Sequence, residues 1–320
     1  MSTTTRQVVE TVGFSVPESP SGGALPHLLV VGGGKGGVGK TCFAVNVGVE
    51  IARRGWRVVI LDADLTCSNA ETMLGMRADR RLDDFFERKR GVCLQEIACE
   101  TPYENLRLIP GASGLLDAAN PRYRQRDALV QGIRALDADL VIIDLDAGAR
   151  LNSLDLYLQT LTHGVLIITP ERTSIDNAFK FLRAAVYRHI ERFYGVPEVG
   201  VLLKRHESLR GFLEFMKTAD CFDRATRKVI ERELLALARA FRPRIVVNKV
   251  QNAYEAQVAA QIMAKHARDH LLSRPESLGF IYFDHAVSEA VNSGVPFVIG
   301  RPRLRVSGCV VDMANRLGYF

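Results

Sequence analysis

The sequence predicts an α/β protein: a doubly wound, mostly parallel sheet with helices on both faces and one helical insertion. Three observations carry this reading. Short, wholly apolar runs of strand length recur along the chain, as in Leu140-Val141-Ile142-Ile143, and runs of that kind belong to strands buried on both faces. Segments of helical length and periodicity lie between them, which is the alternation of a parallel sheet with crossover helices. The first run feeds a glycine-rich loop that opens directly into a helix.

The elements follow in order. Residues 1–26 carry Thr, Ser, Pro and Gly without periodicity and read as a flexible arm, leaving 27–320 as one domain. Residues 27–31 form the first strand, and residues 42–54 a helix that Gly55 ends. Further strands are expected at 57–61, 105–110, 140–143, 164–169, 244–247 and 279–283. The chain of 320 residues, 47% hydrophobic and 24% charged, has enough apolar material for one large core or two small ones. Its apolar runs are too short to cross a membrane, and the N-terminus lacks the apolar centre of a signal peptide, so a cytoplasmic protein is expected. The six cysteines are scattered without any C-x-x-C, which supports neither a zinc ribbon nor a disulfide framework.

Gly34-Lys35-Gly36-Gly37-Val38-Gly39-Lys40-Thr41 meets the phosphate-loop pattern G-x-x-x-x-G-K-[ST] and adds a second lysine inside it. A loop cradles a polyphosphate when successive backbone N–H groups converge on it, which needs residues that tolerate positive φ and lack bulk. Gly34, Gly36, Gly37 and Gly39 supply that freedom. Lys40 is placed to reach the β and γ oxygens, Thr41 to put a hydroxyl on Mg²⁺, and the helix opening at Cys42 to direct its positive end at the anion. Val38 completes the nucleotide-binding segment 34–42 of a P-loop NTPase.

Two strands end in carboxylates beside this loop. Asp62-Ala63-Asp64 closes one, and Asp144 closes the other as the Walker-B type acid that orders Mg²⁺ or its waters; chemistry in open α/β sheets sits at such carboxyl ends. Asp146-Ala147-Gly148-Ala149 then gives a small-residue turn able to respond to the γ-phosphate. A single strand-end Asp is often only a helix cap; beside the loop these aspartates gain force.

With K-G-G-x-G-K-[ST] at residues 35–41, the sequence resembles the MinD/ParA family of deviant Walker A ATPases. The resemblance implies an ATP-dependent homodimer in which Lys35 crosses to the partner's nucleotide, with Lys35, Lys40 and Asp64 as the catalytic set. It further implies Asp64 as the water-positioning residue of switch I, Asp62 with Thr41 and Asp144 as the metal shell, and residues 146–148 as switch II. Asn248 and Asp284 fall where the family contacts the adenine base. ATP and Mg²⁺ are the implied ligands. Asn69, residues 105–111 and residues 169–174 look most like the MinD and FlhG (FleN) branch, whose members position flagella, division sites or other assemblies with the help of a protein activator or cargo adaptor. Two departures stand out: Asp146 adds a carboxylate near the phosphates, which is expected to slow basal hydrolysis or make it depend on a partner, and no basic amphipathic segment follows the last helix, so a membrane-targeting helix is not evident.

The chain is longer than this pattern needs between Thr169 and Asn248, with a helical insertion expected at about 190–242. On a helical wheel, Ile230, Leu234, Leu237 and Phe241 fall on one side and Arg224, Lys228, Arg232, Arg239 and Arg242 on the other. The basic stripe is a candidate footprint for nonspecific DNA, an acidic partner or anionic lipid, against the plainer reading of a solvated face. Arg122, Arg124 and Arg126 form a second basic cluster, expected in a loop. The alternative functions are a DNA-segregation ATPase of ParA type, which the net charge of +6 allows, and an iron–sulfur or electron-transfer relative of the same fold, for which Cys67 is the one suggestive cysteine.

Overall fold

The computed structural model describes residues 25–65, 68–86, 91–112, 123–160, 164–194, 202–218 and 223–319; most of the expected N-terminal arm lies outside them. β1 (His27–Gly32) runs through the glycine loop into α1 (Lys40–Ala52), and β2 (Val58–Ala63) leads to the short α2 (Ala70–Met73). α3 (Leu82–Phe86) and α4 (Leu94–Ile97) precede β3 (Cys99–Glu100) and β4 (Leu106–Ile109), followed by α5 (Tyr123–Arg134), β5 (Leu140–Leu145), α6 (Leu151–Tyr157) and β6 (Val165–Ile168). The long α7 (Arg172–Tyr194) leads to α8 (Leu209–Thr218) and α9 (Arg224–Ala240). β7 (Arg244–Val250), α10 (Ala253–Leu271), β8 (Glu276–Tyr282), α11 (His285–Ser293), α12 (Phe297–Gly300) and α13 (Arg305–Leu317) complete the described chain.

The strands form one sheet in the order β3-β4-β2-β5-β1-β6-β7-β8. Every neighbour pair is parallel except β3–β4. The six strands read from apolar runs in the interior of the sheet all appear, as does β8 at its edge. The two-residue β3 escaped the reading because so short a pairing leaves no periodic signal; Asn105, in the left-handed region at φ 61°, lies in the connection that returns the chain into β4.

Alternation along the strands divides the core in two. Val30, Val141 and Ile143 face one side, and Leu29, Val31, Leu140 and Ile142 the other. The second face is covered by α1 and α13, with Phe43, Val310 and Met313 inside. The first is covered by α5 through α10, including Leu129, Leu154, Phe181 and Met263. Burying each large aliphatic or aromatic side chain contributes about 1.5–3 kcal/mol, so the sheet sandwiched between these layers is a rigid platform for the loops at its carboxyl edge.

The helices in the expected insertion extend the first layer. Ile230, Leu234 and Phe241 of α9 and its exit are buried with Leu209 and Phe212 of α8, while Arg224, Lys228, Arg232, Arg239 and Arg242 are exposed. The expected boundary near residue 190 falls inside α7. The second basic cluster is corrected: Arg124 and Arg126 lie in α5, not in a loop, and Arg126 pairs with the buried Asp155 of α6 at 3.2 Å, which Arg188 of α7 also binds. Arg122 lies outside the described residues. Among the described residues, no helix is long and apolar enough to cross a membrane.

Candidate active site

The loops that follow β1, β2, β5, β7 and β8 lie at the carboxyl edge of the sheet with those of the other parallel strands. The loop after β1 is shaped by two close approaches. A Cβ on Gly34 would lie 2.1 Å from the Asn177 backbone of α7, and one on Gly39 would lie 2.2 Å from Asn248 Nδ2. Gly39 also sits at φ 98°, where α1 begins, a conformation that L side chains rarely adopt. Glycine at both positions therefore lets the loop close down on α7 and β7. Gly36, Gly37 and Lys35 are exposed, whereas Val38 is buried under the loop.

Lys40 is buried and makes no hydrogen bond or ion pair among the described residues, though its charge acts on Asp144 and Asp146. Asp144 is its counterpart. Its carboxylate is sealed from solvent with neither oxygen hydrogen-bonded. Burial first, then the neighbouring Asp62, pushes its pKa well above the usual range, and the nearby Thr41 hydroxyl and Lys40 pull it back only in part. Thr41, Lys40 and Asp144 thus set a hydroxyl, an ammonium and a carboxyl group with no hydrogen bond around one glycine loop. That donor set suits a polyphosphate with Mg²⁺, a cation that favours carboxylate and hydroxyl oxygens and retains several waters.

Asp62 stands directly opposite Asp144 in the β2–β5 register, yet its position differs chemically. Its Oδ1 accepts the Asp64 N–H at 3.0 Å; its Oδ2 accepts the Ser68 hydroxyl at 2.8 Å and the N–H groups of Asn69 and Ala70 at 3.1 and 3.2 Å. Burial raises its pKa and these four bonds lower it. Asp62, expected in the metal shell, anchors the loop after β2 through these bonds. Asp64, held at its backbone by this anchor, is half-buried and close enough for its charge to act on both Asp144 and Asp146.

Asp146, the departure noted in the sequence, is turned onto its own helix. The Ser153 hydroxyl donates to it and Arg150 pairs with it at 3.4 Å, both residues belonging to or capping α6. Burial raises its pKa, with Ser153 and Arg150 opposing. The Gly148 N–H reaches back to the Gly33 carbonyl at 3.3 Å, tying this turn to the phosphate loop.

Asn248 and Lys249 clamp the loop from the other side. Asn248 Nδ2 donates to the Val38 carbonyl at 2.8 Å, its Oδ1 accepts the Lys249 N–H at 2.8 Å, and Lys249 Nζ donates to the Gly37 carbonyl at 2.8 Å. Asn248, expected at the base, is therefore engaged with the phosphate loop and retains one N–H and one lone pair for a ligand. Asp284 caps α11 by accepting the Ala286 N–H at 2.9 Å, next to the half-exposed Phe283. The thiol of Cys42 is pushed up to about 12, chiefly by burial, which keeps it protonated and unreactive. Cys67 lies outside the described residues.

Sequence reading missed Lys249 and Arg150. The dipeptide Asn248-Lys249 at the end of an apolar strand was visible, but the reach of the lysine depends on a kink that no periodicity announces.

A glycine loop between a central strand and a helix, with a buried lysine and a strand-end aspartate at its mouth, defines a P-loop nucleotide-binding protein. The chain belongs to the CobQ/CobB/MinD/ParA nucleotide binding domain family, whose match spans residues 29–297. It is 28% identical over 264 residues to the antiactivator FleN of Pseudomonas aeruginosa, covering 77% of this chain and 90% of that protein. Its fold is similar to that of the septum site-determining protein MinD complexed with Mg-ADP from Pyrococcus horikoshii, with a TM-score of 0.62 at 18% identity over 92% of this chain and 96% of that one. It is likewise similar to a ParA family ATPase from Chlorobium tepidum, with a TM-score of 0.60 at 17% identity over 92% and 99% of the two chains.

Proposed function

We propose that the protein is a Mg²⁺-dependent ATPase that pairs with a second copy of itself when it holds ATP and separates after hydrolysis, a timed switch that sets the position or number of a cellular structure such as a flagellum or a division site. The observation that carries nucleotide binding is the buried Asp144, whose two oxygens have no hydrogen-bond partner among the described residues, set beside Lys40 at the start of α1. Nucleotide phosphates and a divalent cation complete both at once. The similarity to FleN over most of both chains favours the positioning branch over DNA segregation.

Thr41 and Asp144 would hold Mg²⁺, which when bound neutralises charge on the β and γ oxygens. Lys40 grips those oxygens, and the N–H groups of residues 36–41 supply the rest of the cradle. Asp64 orients the attacking water; Asp62 holds the backbone that presents it. Lys35, exposed on the loop, is free to reach the nucleotide of a second copy. Asp146, tied to Ser153 and Arg150, keeps the turn after β5 in a resting conformation, so turnover is slow until a protein activator or cargo adaptor engages the dimer. The switch works in the cytoplasm.

ATP turnover and binding by the purified protein test this reading. Lys40→Ala is expected to lose nucleotide binding, and Asp64→Ala to bind ATP while turnover falls about 10²- to 10³-fold, the usual cost of removing one group that acts on the transition state. ATP bound equally well by Lys40→Ala and wild type contradicts the reading.

A further inference from the structure

Outside the nucleotide site, α8 and α9 part to leave a cleft of about 280 Å³. Its apolar part is Leu213 and Met216, which are 8% and 3% exposed. Four cations line it, Lys217 from α8 and Arg224, Arg227 and Lys228 from α9, against the single carboxylate of Glu231.

These cations differ in how far they are committed. Lys217 is held by Glu214 at 2.8 Å. Arg227 gives one N–H to the Lys217 carbonyl at 2.9 Å, while its Nε is buried with no hydrogen-bond partner, a costly state for a charged donor. Arg224 and Lys228 make no hydrogen bond or ion pair among the described residues. Arg224 also opens α9, where the helix end adds partial positive charge, only part of which is offset by the cap that Asp223 provides. Further along, Arg232 is paired with Glu233 and Arg242 faces Glu276. The positive stripe read from the helical wheel is therefore not uniform: Arg224, Lys228 and Arg239 make no ion pair among the described residues, and the first two of these line the cleft beside Arg227 and Lys217, which the wheel had not assigned to the stripe.

We infer that the cleft is a docking site for an acidic segment of a partner protein, which sets carboxylates against Arg224, Arg227 and Lys228 and places one apolar side chain against Leu213 and Met216. Arginine receives carboxylates through paired, directional hydrogen bonds. A small concave pocket with an apolar floor and a charged rim is the arrangement in which an anchor side chain gives affinity and the rim gives selectivity. The volume lies near the lower end of ligand pockets and suits a side chain better than a whole cofactor. Duplex DNA meets proteins chiefly through the charged phosphates of a broad surface, and neither it nor a lipid headgroup surface presents a single projecting side chain to fill a recess between two helices. The docking site stands whether or not the protein hydrolyses ATP.

The test uses the full chain and fluorescence anisotropy. The probe is a labelled pool of short peptides with alternating Asp and Glu and each apolar residue in turn at the centre; a control pool carries Ser at the centre. Random duplex DNA and phosphatidylglycerol vesicles are offered in parallel. The expected result is saturable binding of the apolar-centred pool, at least about tenfold tighter than the Ser pool, and at least about tenfold weaker for Arg224→Glu/Lys228→Glu. The double variant should keep wild-type circular dichroism and ATP turnover, which separates a failure here from a failure of the ATPase reading. A milder variant, Arg224→Gln/Lys228→Gln, is expected to show a smaller loss in the same direction and serves if the charge reversal misfolds. No binding of the acidic pool, equal binding by wild type and the folded variants, or binding of DNA or vesicles that the acidic pool does not displace overturns the inference.

Discussion

Asp62 and Asp144 show how much two identical residues in register can differ. Both close apolar strands, both are buried, and both were legible in the sequence as strand-end carboxylates. What the sequence does not reveal is the supply of donors: the turn after β2 brings three N–H groups and a hydroxyl to Asp62, while none reaches Asp144. The first anchors its loop, and the second has no such bonds. Because Asp144 is held well above its ordinary value of 3.8 in the fold, it binds its proton more tightly in the folded than in the unfolded chain. Its contribution to stability is therefore fully present below about pH 3.8 and is lost as pH rises through the folded-state value. Asp144→Asn removes that loss. Thermal unfolding of the ligand-free variant should occur at or above the wild-type temperature, by a margin that grows from pH 5 to pH 8, while the added stabilisation by Mg²⁺ with ATP disappears. A ligand-free variant clearly less stable than wild type at pH 8 would show that Asp144 is held by the fold and not merely tolerated.

At the level of elements, periodicity disclosed what repeats and missed what interrupts. The apolar run of β7 was plain, as were the two faces of α9, because burial imposes a regular pattern on each. The break in β7 was hidden. Its register with β8 shifts between Val247 and Val250, and Lys249 takes a left-handed backbone at φ 61°. That combination leaves Lys249 exposed and carries its ammonium to the Gly37 carbonyl. The kink costs backbone energy of order 1–3 kcal/mol, as non-glycine residues in this region do, and it acquires a purpose if it holds the phosphate loop open to its ligand. Lys249→Ala keeps the backbone conformation and removes the clamp. An exposed hydrogen bond of this kind contributes about 1 kcal/mol, so isothermal titration should show ADP binding roughly fivefold weaker with little change in unfolding temperature, and Lys249→Arg should recover part of the loss. Unchanged ADP affinity in Lys249→Ala would mean that the loop keeps its shape without the clamp.

For the whole molecule, the alternation of strands and helices announced a parallel sheet, but not the order β3-β4-β2-β5-β1-β6-β7-β8, which depends on how crossovers pack and leaves no local trace. That order is what gathers the loops after β1, β2, β5 and β7 at one edge. It sets Lys40 and Asp144 together inside and leaves Lys35 outside on the same loop. Under the proposed function these two lysines divide the labour, Lys40 serving the chain's own nucleotide and Lys35 that of a second copy. Sedimentation with saturating ATP tests it most directly, using Asp64→Ala to prevent turnover. The expected result is that Asp64→Ala doubles its mass with ATP and not with ADP, and that adding Lys35→Ala returns it to a monomer that still binds ATP. An Asp64→Ala protein that remains monomeric with ATP bound, or a dimer indifferent to Lys35, contradicts it.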